Sequence, residues 1–417
     1  MSLPTQKPSF GVLDGLKVIY SAVEIAVPTA CEIMSEWGAD VTWIENTHTG
    51  DSVRDTTYVK EMERRNQRSL SMNPFSDEGK EILFKIIEDA DVFVESSKGP
   101  AWARKGITDE MLWERNPKLV IVHVSGFGHT GDPVRVNSAA YDLTVQDYAG
   151  YVYQNGTPDQ PMTAAPYTGD YFNSLMVVSS ALAAVFRAQK TGKGESIDLA
   201  MYETMLRMGA YYMIDYLNAG IEYPRAGARN QNLCAIGQYK CRNGVIGLCV
   251  YGVPQNKYLL EVIGLGELWG TEDYPEDTSA LWLSSPKAEL IESKLEEYLL
   301  ARDVEDVEAD FTAHKLAAQK CLSFEDILAE KHVQERGNFI EWQNAEGQDV
   351  KGLNTVPVFK NRPGQFWRPM PPWATTPPTC SPRPASARPT SSASRRRARC
   401  ASATRTRAEP GPGGQER

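Results

Sequence analysis

One carboxylate stands where a loop gives way to the most apolar helical stretch of the chain: Asp170, in Pro166-Tyr167-Thr168-Gly169-Asp170-Tyr171-Phe172. From Ser174 to Phe186 the residues are apolar nearly all round, with the small ones that a buried, closely packed helix needs. An Asp at the entrance to such a helix has an ordinary use. Its carboxylate accepts from the free backbone N–H groups of the first turn and faces the positive end of the helix dipole. Residue type alone favours that cap, so any chemistry for Asp170 has to rest on its surroundings.

Other residues with chemical potential are dispersed. Lys98, Arg104 and Lys105 crowd the stretch Ser96 to Gly106, just beyond a strand-like run. Three cations in a loop leaving the carboxyl end of a parallel strand can meet an anion, although on charge alone a solvated loop explains them equally well. Ser125-Gly126-Phe127-Gly128 permits a tight turn and close approach to a ligand, and its backbone N–H groups are candidates to stabilise an oxyanion. Thr191-Gly192-Lys193-Gly194-Glu195 imitates a phosphate loop but follows a helix instead of opening one, and lacks Ser or Thr after the lysine. Seven cysteines and five histidines show no metal-ligand spacing, and His123, inside Leu119 to Val124, reads as a satisfied strand histidine. No metal is assigned.

The elements that must position these residues read as α/β. A β-α-β unit spans Leu16 to Ser21, a helix from about Pro28 to Trp37, and Asp40 to Glu45, with Gly38 suited to the helix exit. Glu45 imitates a ribose-binding acid. The first turn, Ala22 to Val27, nevertheless lacks the glycines that a dinucleotide needs. A second unit has Ser76 as helix cap, a helix from Asp77 to Glu88 and the strand Asp91 to Glu95; a third strand runs from Lys118 to Val124. After the Asp170 helix come the strand Ser196 to Ala200 and a helix from about Tyr202 to Asn218.

From about Tyr223 the character changes. A hairpin around Asn243-Gly244 is followed by helical patterns at Gln255 to Ile263, Lys287 to Ala301, Val304 to Ala317 and Phe324 to Ala329. The expected organisation is a Rossmann-like large domain with a parallel sheet over 1–222, a smaller α+β domain over 223–336, and a return to the large domain over 337–373 through strands that include Thr355 to Lys360. Residues 374–417 lack Leu, Ile, Val, Phe, Met and Lys and hold nine Arg against two Glu. Such a basic, Pro-rich stretch cannot build a core and reads as disordered, with the residue types that GC-rich codons yield after a frameshift just past Pro371.

A length of 417 residues calls for more than one core. The net charge of −10 argues against a nucleic-acid-binding body. No segment reads as an unbroken membrane span, and Met1 to Phe10 lacks a signal-peptide core, so the expectation is a cytoplasmic protein.

Taken together, Tyr167-Thr168-Gly169-Asp170-Tyr171-Phe172, Ser125-Gly126-Phe127-Gly128, Lys98-Gly99-Pro100 and Gly192-Lys193-Gly194-Glu195-Ser196-Ile197-Asp198 resemble the family III CoA-transferases, from about Phe10 to Pro371. The nearest resemblance is to the branch that moves CoA among carnitine, crotonobetaine and γ-butyrobetaine. The resemblance implies that Asp170 is the nucleophile and forms an aspartyl-CoA thioester. It also implies that the loop of Lys98, Arg104 and Lys105 binds CoA, with Lys105 where relatives commonly carry arginine. CoA and acyl-CoA are then substrates, with no permanently bound cofactor, and the second substrate is a small carboxylic acid, a betaine. A permanent trimethylammonium group would be met by aromatic faces such as Tyr171, Phe172, Tyr211, Tyr212 and Tyr216. An interlocked homodimer is implied as well. Two competing readings are a racemase of the same superfamily, which would have histidine where this chain has Tyr141, and a CoA-binding homologue without turnover.

Overall fold

The computed structural model describes residues 6–373, and the stretch 374–417 lies outside them. Six parallel strands make the main sheet: β1 Lys17–Ser21, β2 Asp40–Glu45, β3 Gln67–Ser71, β4 Val92–Ser96, β5 Val120–Ser125 and β6 Glu195–Ala200. Their spatial order is β3-β2-β1-β4-β5-β6, so the chain winds outward from β1 in one direction and from β4 in the other. At such a reversal the loops leaving neighbouring strands diverge and open a crevice at their carboxyl ends. β1, β4 and β5 are near-continuous apolar runs, as strands covered on both faces must be. One core lies between the sheet and the helices Ala26–Glu36 and Thr168–Thr191; another lies on the opposite face, around Leu83, Phe93, Trp102 and Leu119.

The Thr168–Thr191 helix buries Gly169, Ser174, Val177, Ala181, Ala184 and Ala188. This small-residue stripe lets the Ala26–Glu36 helix approach closely, and Ser174 Oγ donates to the Ala26 carbonyl at 2.6 Å. The helix is not core all round, because Leu175 and Phe186 are more than half exposed. By length and composition alone it would suffice to cross a membrane, a test that a helix packed into a core passes as well. Gly38 follows the Ala26–Glu36 helix at φ +105°, where a Cβ would lie 2.1 Å from the Phe10 carbonyl oxygen, so the exit has to be glycine.

A second sheet is antiparallel: β7 Ile236–Lys240, β8 Val245–Cys249 and β9 Ala317–Lys320, in the order β7-β8-β9. It has its own core with the helices Val253–Val262, Ala288–Leu300 and Val304–Ala313. The hairpin of β10 Phe339–Gln343 and β11 Asp349–Leu353 then meets the β3 end of the main sheet. There Arg65 donates to the Leu353 carbonyl at 2.7 Å, and Asn66 hydrogen-bonds both Gln365 and Trp367.

Several local expectations need correction. β3 was not anticipated because Gln67-Arg68-Ser69-Leu70-Ser71 has no apolar alternation. Its polar groups are satisfied by the sheet: Tyr20 donates to Gln67 at 2.6 Å, and Ser69 bonds Glu45. The helix expected from Tyr202 to Asn218 breaks at Gly209 into Met201–Met208 and Ala210–Ala219. The helix starting at Val304 stops at Ala313, and Ala317 onward pairs with β8. Residues 355–360 form no strand.

Candidate active site

Asp170 is not the cap of its helix. The N-cap position is Tyr167, in the left-handed region at φ +61°, and Asp170 is the third helical residue. A different carboxylate serves this end: Asp142 Oδ1 accepts the Asp170 backbone N–H at 3.1 Å, while its Oδ2 is held by Gln146 at 2.7 Å. Among the described residues none donates a hydrogen bond to the Asp170 carboxylate, which is half-buried.

Burial, followed by the nearby carboxylates of Asp142, Glu24 and Glu63, raises the Asp170 pKa to about 7. The first turn of a helix favours an anion by only about 0.3–1 kcal/mol, less than this opposition. The neighbours are themselves fixed. Arg64, fully buried, donates to the Glu24 carbonyl at 2.6 Å and to Asp51 at 2.7 Å. Glu63 accepts from Tyr171 Oη at 3.1 Å and from Thr29. Glu24, Glu63 and Asp142 were not singled out from sequence. The one available signal was Asp142, which follows directly on the Tyr141 that drew attention as the racemase position.

Next to Glu24, Val23 lines a cavity of about 380 Å³ at the carboxyl ends of β1 to β4, in the crevice where the sheet reverses. Ser21, Asn46, His48, Asn73, Ser97, Trp102 and Lys105 share its wall. The three expected cations therefore separate. Lys105 reaches the crevice, its Nζ 4.1 Å from the Phe75 ring centroid. Arg104 turns back to donate to the Lys98 carbonyl at 3.1 Å and shapes the loop. Lys98 is exposed and does not line the cavity. Glu45 also faces the crevice, but Arg54 grips it with Nε at 2.7 Å from Oε2 and Nη2 at 2.5 Å from Oε1.

The glycine turn after β5 is packed tightly. A Cβ on Gly126 would come within 2.1 Å of Ala140 Cβ, and the Gly128 N–H is taken by Ser125 Oγ at 2.9 Å. Gly128 is thus not a free oxyanion donor. The expected aromatic set also divides. Tyr171 sits against Glu63, and Phe172 packs edge-on against Tyr151. Tyr212 and Tyr216 line a separate cavity of about 400 Å³ with Tyr153, Glu222 and Tyr223. Tyr211 is four-fifths exposed.

Sequence expectation also missed a gathering of histidines. His123 places Nδ1 2.7 Å from Glu95 and Nε2 2.9 Å from Asp109, with His129 beside it. Burial opposes its protonation, but the hydrogen bonds to Asp109 and Glu95 prevail and raise its pKa to about 9.

A doubly wound sheet with a crevice at its reversal, and a half-buried carboxylate that accepts no hydrogen bond from any described residue, describe an enzyme built on an open α/β fold. Comparison with known proteins narrows the class. Residues 13–374 match CoA-transferase family III. The chain is 44% identical over 366 residues to the L-carnitine CoA-transferase of Proteus mirabilis (strain HI4320), covering 87% of this chain and 90% of that protein. A CaiB/BaiF family protein from Brucella suis superposes with a TM-score of 0.73 at 25% identity over 88% of this chain and 97% of the other. Rv3272 from M. tuberculosis, at 20% identity, shares the fold with a TM-score of 0.75 over 88% and 98% of the two chains. The chain belongs to CoA-transferase family III, and it is a transferase whose substrates are CoA thioesters.

Proposed function

We propose that the enzyme exchanges CoA between an acyl-CoA and a free carboxylic acid through an aspartyl-CoA thioester at Asp170, with L-carnitine and crotonobetainyl-CoA or γ-butyrobetainyl-CoA as substrates. The observation that carries this reading is the Asp170 carboxylate: it accepts no hydrogen bond from any described residue, and burial together with Asp142, Glu24 and Glu63 destabilises it as an anion, with Glu24 next in sequence to Val23 in the crevice wall. In the first step it attacks the thioester carbonyl and expels CoA thiolate, leaving a mixed anhydride. The thiolate attacks the aspartyl carbonyl of that anhydride, releasing the first acid and forming the aspartyl thioester. The acceptor carboxylate attacks this thioester, and the returning thiolate takes the new acyl group and frees Asp170. Each step exchanges one acyl bond for another and consumes no water, so the thioester's energy is conserved.

The carboxylates around Asp170 also support a cationic substrate. A trimethylammonium group near Glu24, Glu63 and Asp142 offsets their repulsion, which lowers the Asp170 pKa and favours the attacking anion. Binding a betaine and ionising the nucleophile are then the same electrostatic event. Lys105, at the crevice wall, is placed to meet a CoA phosphate. We further propose a cytoplasmic homodimer, divided into domains over 1–222 with 337–373 and over 223–336.

Intact-mass analysis tests the intermediate. After incubation with acyl-CoA and hydroxylamine, a hydroxamate should map to the peptide carrying Asp170. An unmodified chain that still exchanges labelled CoA would overturn the covalent route, and α-proton exchange in heavy water without transfer would favour the racemase reading.

A further inference from the structure

Behind the loop of Lys98 and Arg104, on the side away from the sheet-end crevice, five titratable side chains converge that the transfer chemistry does not use. The sheet register sets three of them in a row, Glu95 on β4 opposite His123 on β5, and His123 opposite Asp198 on β6. Asp109 opens the helix Asp109–Arg115, and His129 comes from the loop after β5. The side chains of Glu95, His123 and His129 are 0%, 11% and 16% exposed. One ligand atom from each lies within 4.8 Å of those from the other two.

The orientation of these groups has a direction to it. Asp109 accepts from Ser196 Oγ at 2.6 Å through one oxygen and engages His123 Nε2 at 2.9 Å through the other. A carboxylate behind an imidazole in this way fixes the ring and raises the basicity of the opposite nitrogen, the usual arrangement behind a metal-bound histidine. That opposite nitrogen, Nδ1, points to Glu95 Oε1 at 2.7 Å. His129 Nε2 lies 4.0 Å from the same oxygen, buried and without a hydrogen-bond partner among the described residues. A buried ion pair of His123 with Glu95 and Asp109 accounts for His123 but leaves this His129 nitrogen unexplained.

We propose that Glu95, His123 and His129 form a binding site for a late first-row divalent cation, zinc being the best match. Two imidazoles and one carboxylate are the donor set of such ions and not of calcium or magnesium, which take oxygen ligands. Tetrahedral ligands held at about 2.0–2.1 Å lie about 3.3 Å from one another, so on binding the His123–Glu95 contact opens, the His129–Glu95 contact closes, and the widest of the three separations, within 4.8 Å, closes by as much as about 1.5 Å. His123 and His129 themselves line a cavity of about 290 Å³, with Pro100, Trp102, Ser196 and Asp198 also in its wall, which has room for water or a small anion as a further ligand. Trp102 also lines the crevice at the sheet ends. A bound ion therefore ties β4, β5 and the His129 loop together immediately behind the wall of the proposed CoA site.

The test is metal titration of the full chain after dialysis against a chelator, with cobalt(II) as spectroscopic probe and zinc(II) followed by calorimetry. The expected result is saturable uptake of one ion per chain, with the ligand-field absorption of a four-coordinate cobalt site. Binding should vanish in His129→Ala and in Glu95→Gln, and weaken by about 10–100-fold in Asp109→Asn. It should be unchanged in His332→Ala, which alters an exposed histidine elsewhere. Circular dichroism of His129→Ala checks that the fold survives, and His129→Gln substitutes if it does not. Absence of saturable binding to the wild-type chain overturns the proposal, as does binding that both His129 variants retain.

Discussion

At the scale of single residues, the Asp170 environment makes a prediction that separates nucleophile from cap. A carboxyl whose folded pKa is raised above its unfolded value costs stability once it ionises. That cost is absent below the unfolded pKa near 4, grows as pH rises from there to the folded value of about 7, and is constant above it. Asp170→Asn should therefore abolish transfer and stabilise the fold more at pH 8 than at pH 4, by on the order of 2 kcal/mol after allowing for partial exposure, seen as a larger rise in melting temperature at the higher pH. A capping Asp would give the opposite sign, and thermal melts at the two pH values distinguish them. The same ionisation should appear in kinetics. Since kcat/KM follows the free enzyme, its acid limb should fall near pH 7, whereas the limb of kcat with a betaine bound should lie lower. Coincident limbs for kcat and kcat/KM would remove the electrostatic coupling between substrate cation and nucleophile.

At the scale of elements, two loops after parallel strands carry distinct loads. Of the three cations in the loop after β4, Lys105 is the one that lines the crevice, so Lys105→Glu should raise KM for acyl-CoA by roughly tenfold or more, the equivalent of about 1.5–3 kcal/mol for a lost charge-assisted contact. KM for the free acid should change much less, and Lys98→Glu should have a smaller effect because that side chain is exposed. Equal effects of both variants on both substrates would mark the loop as structural. The turn after β5 acts through packing. Gly126→Ala drives a methyl group into Ala140, at a cost of about 1–3 kcal/mol, and shifts the segment that delivers Asp142 to the Asp170 N–H. Adding Ala140→Gly should recover most of the stability and activity; failure of that rescue would mean that Gly126 matters for its backbone alone.

At the scale of the whole molecule, the proposed substrate and assembly are testable together. Leu175 and Phe186 on the Thr168–Thr191 helix, with Tyr211 and Leu217 on Ala210–Ala219, leave apolar surface exposed on the single chain. A homodimer covering such surface would keep its mass on dilution, and light scattering that shows a concentration-dependent monomer would exclude the interlocked form. Carnitine, crotonobetaine and γ-butyrobetaine should be turned over at least tenfold better than crotonate or butyrate. The carboxylates around Asp170 supply part of this preference, and aromatic faces contribute about 0.5–2 kcal/mol per desolvated ring. Equal use of neutral-tailed acids would leave the family assignment intact and remove the carnitine assignment.

Strong periodicity and local turn chemistry made much of this architecture legible before any coordinates. The apolar runs of β1, β4 and β5, the Ser76 cap, Gly38 at the helix exit and the hairpin before β8 are all signalled by residue types within a few positions of one another. Asp170 stood out for the same reason, since its helix is a local pattern. The edge strands β3 and β9 were hidden because polar sequences become strands only when a neighbouring strand takes their hydrogen bonds. Removing the cap role from Asp170 required Asp142, 28 residues away, and raising its pKa required burial and the carboxylates of Asp142, Glu24 and Glu63 from distant segments. Likewise, His123 and His129 looked scattered until parallel pairing set Glu95 opposite His123. Residue types and short-range order are written along the chain. Desolvation and the meeting of charges from distant segments are produced only by packing, and on those depend the ionisation of Asp170 and the partners of His123.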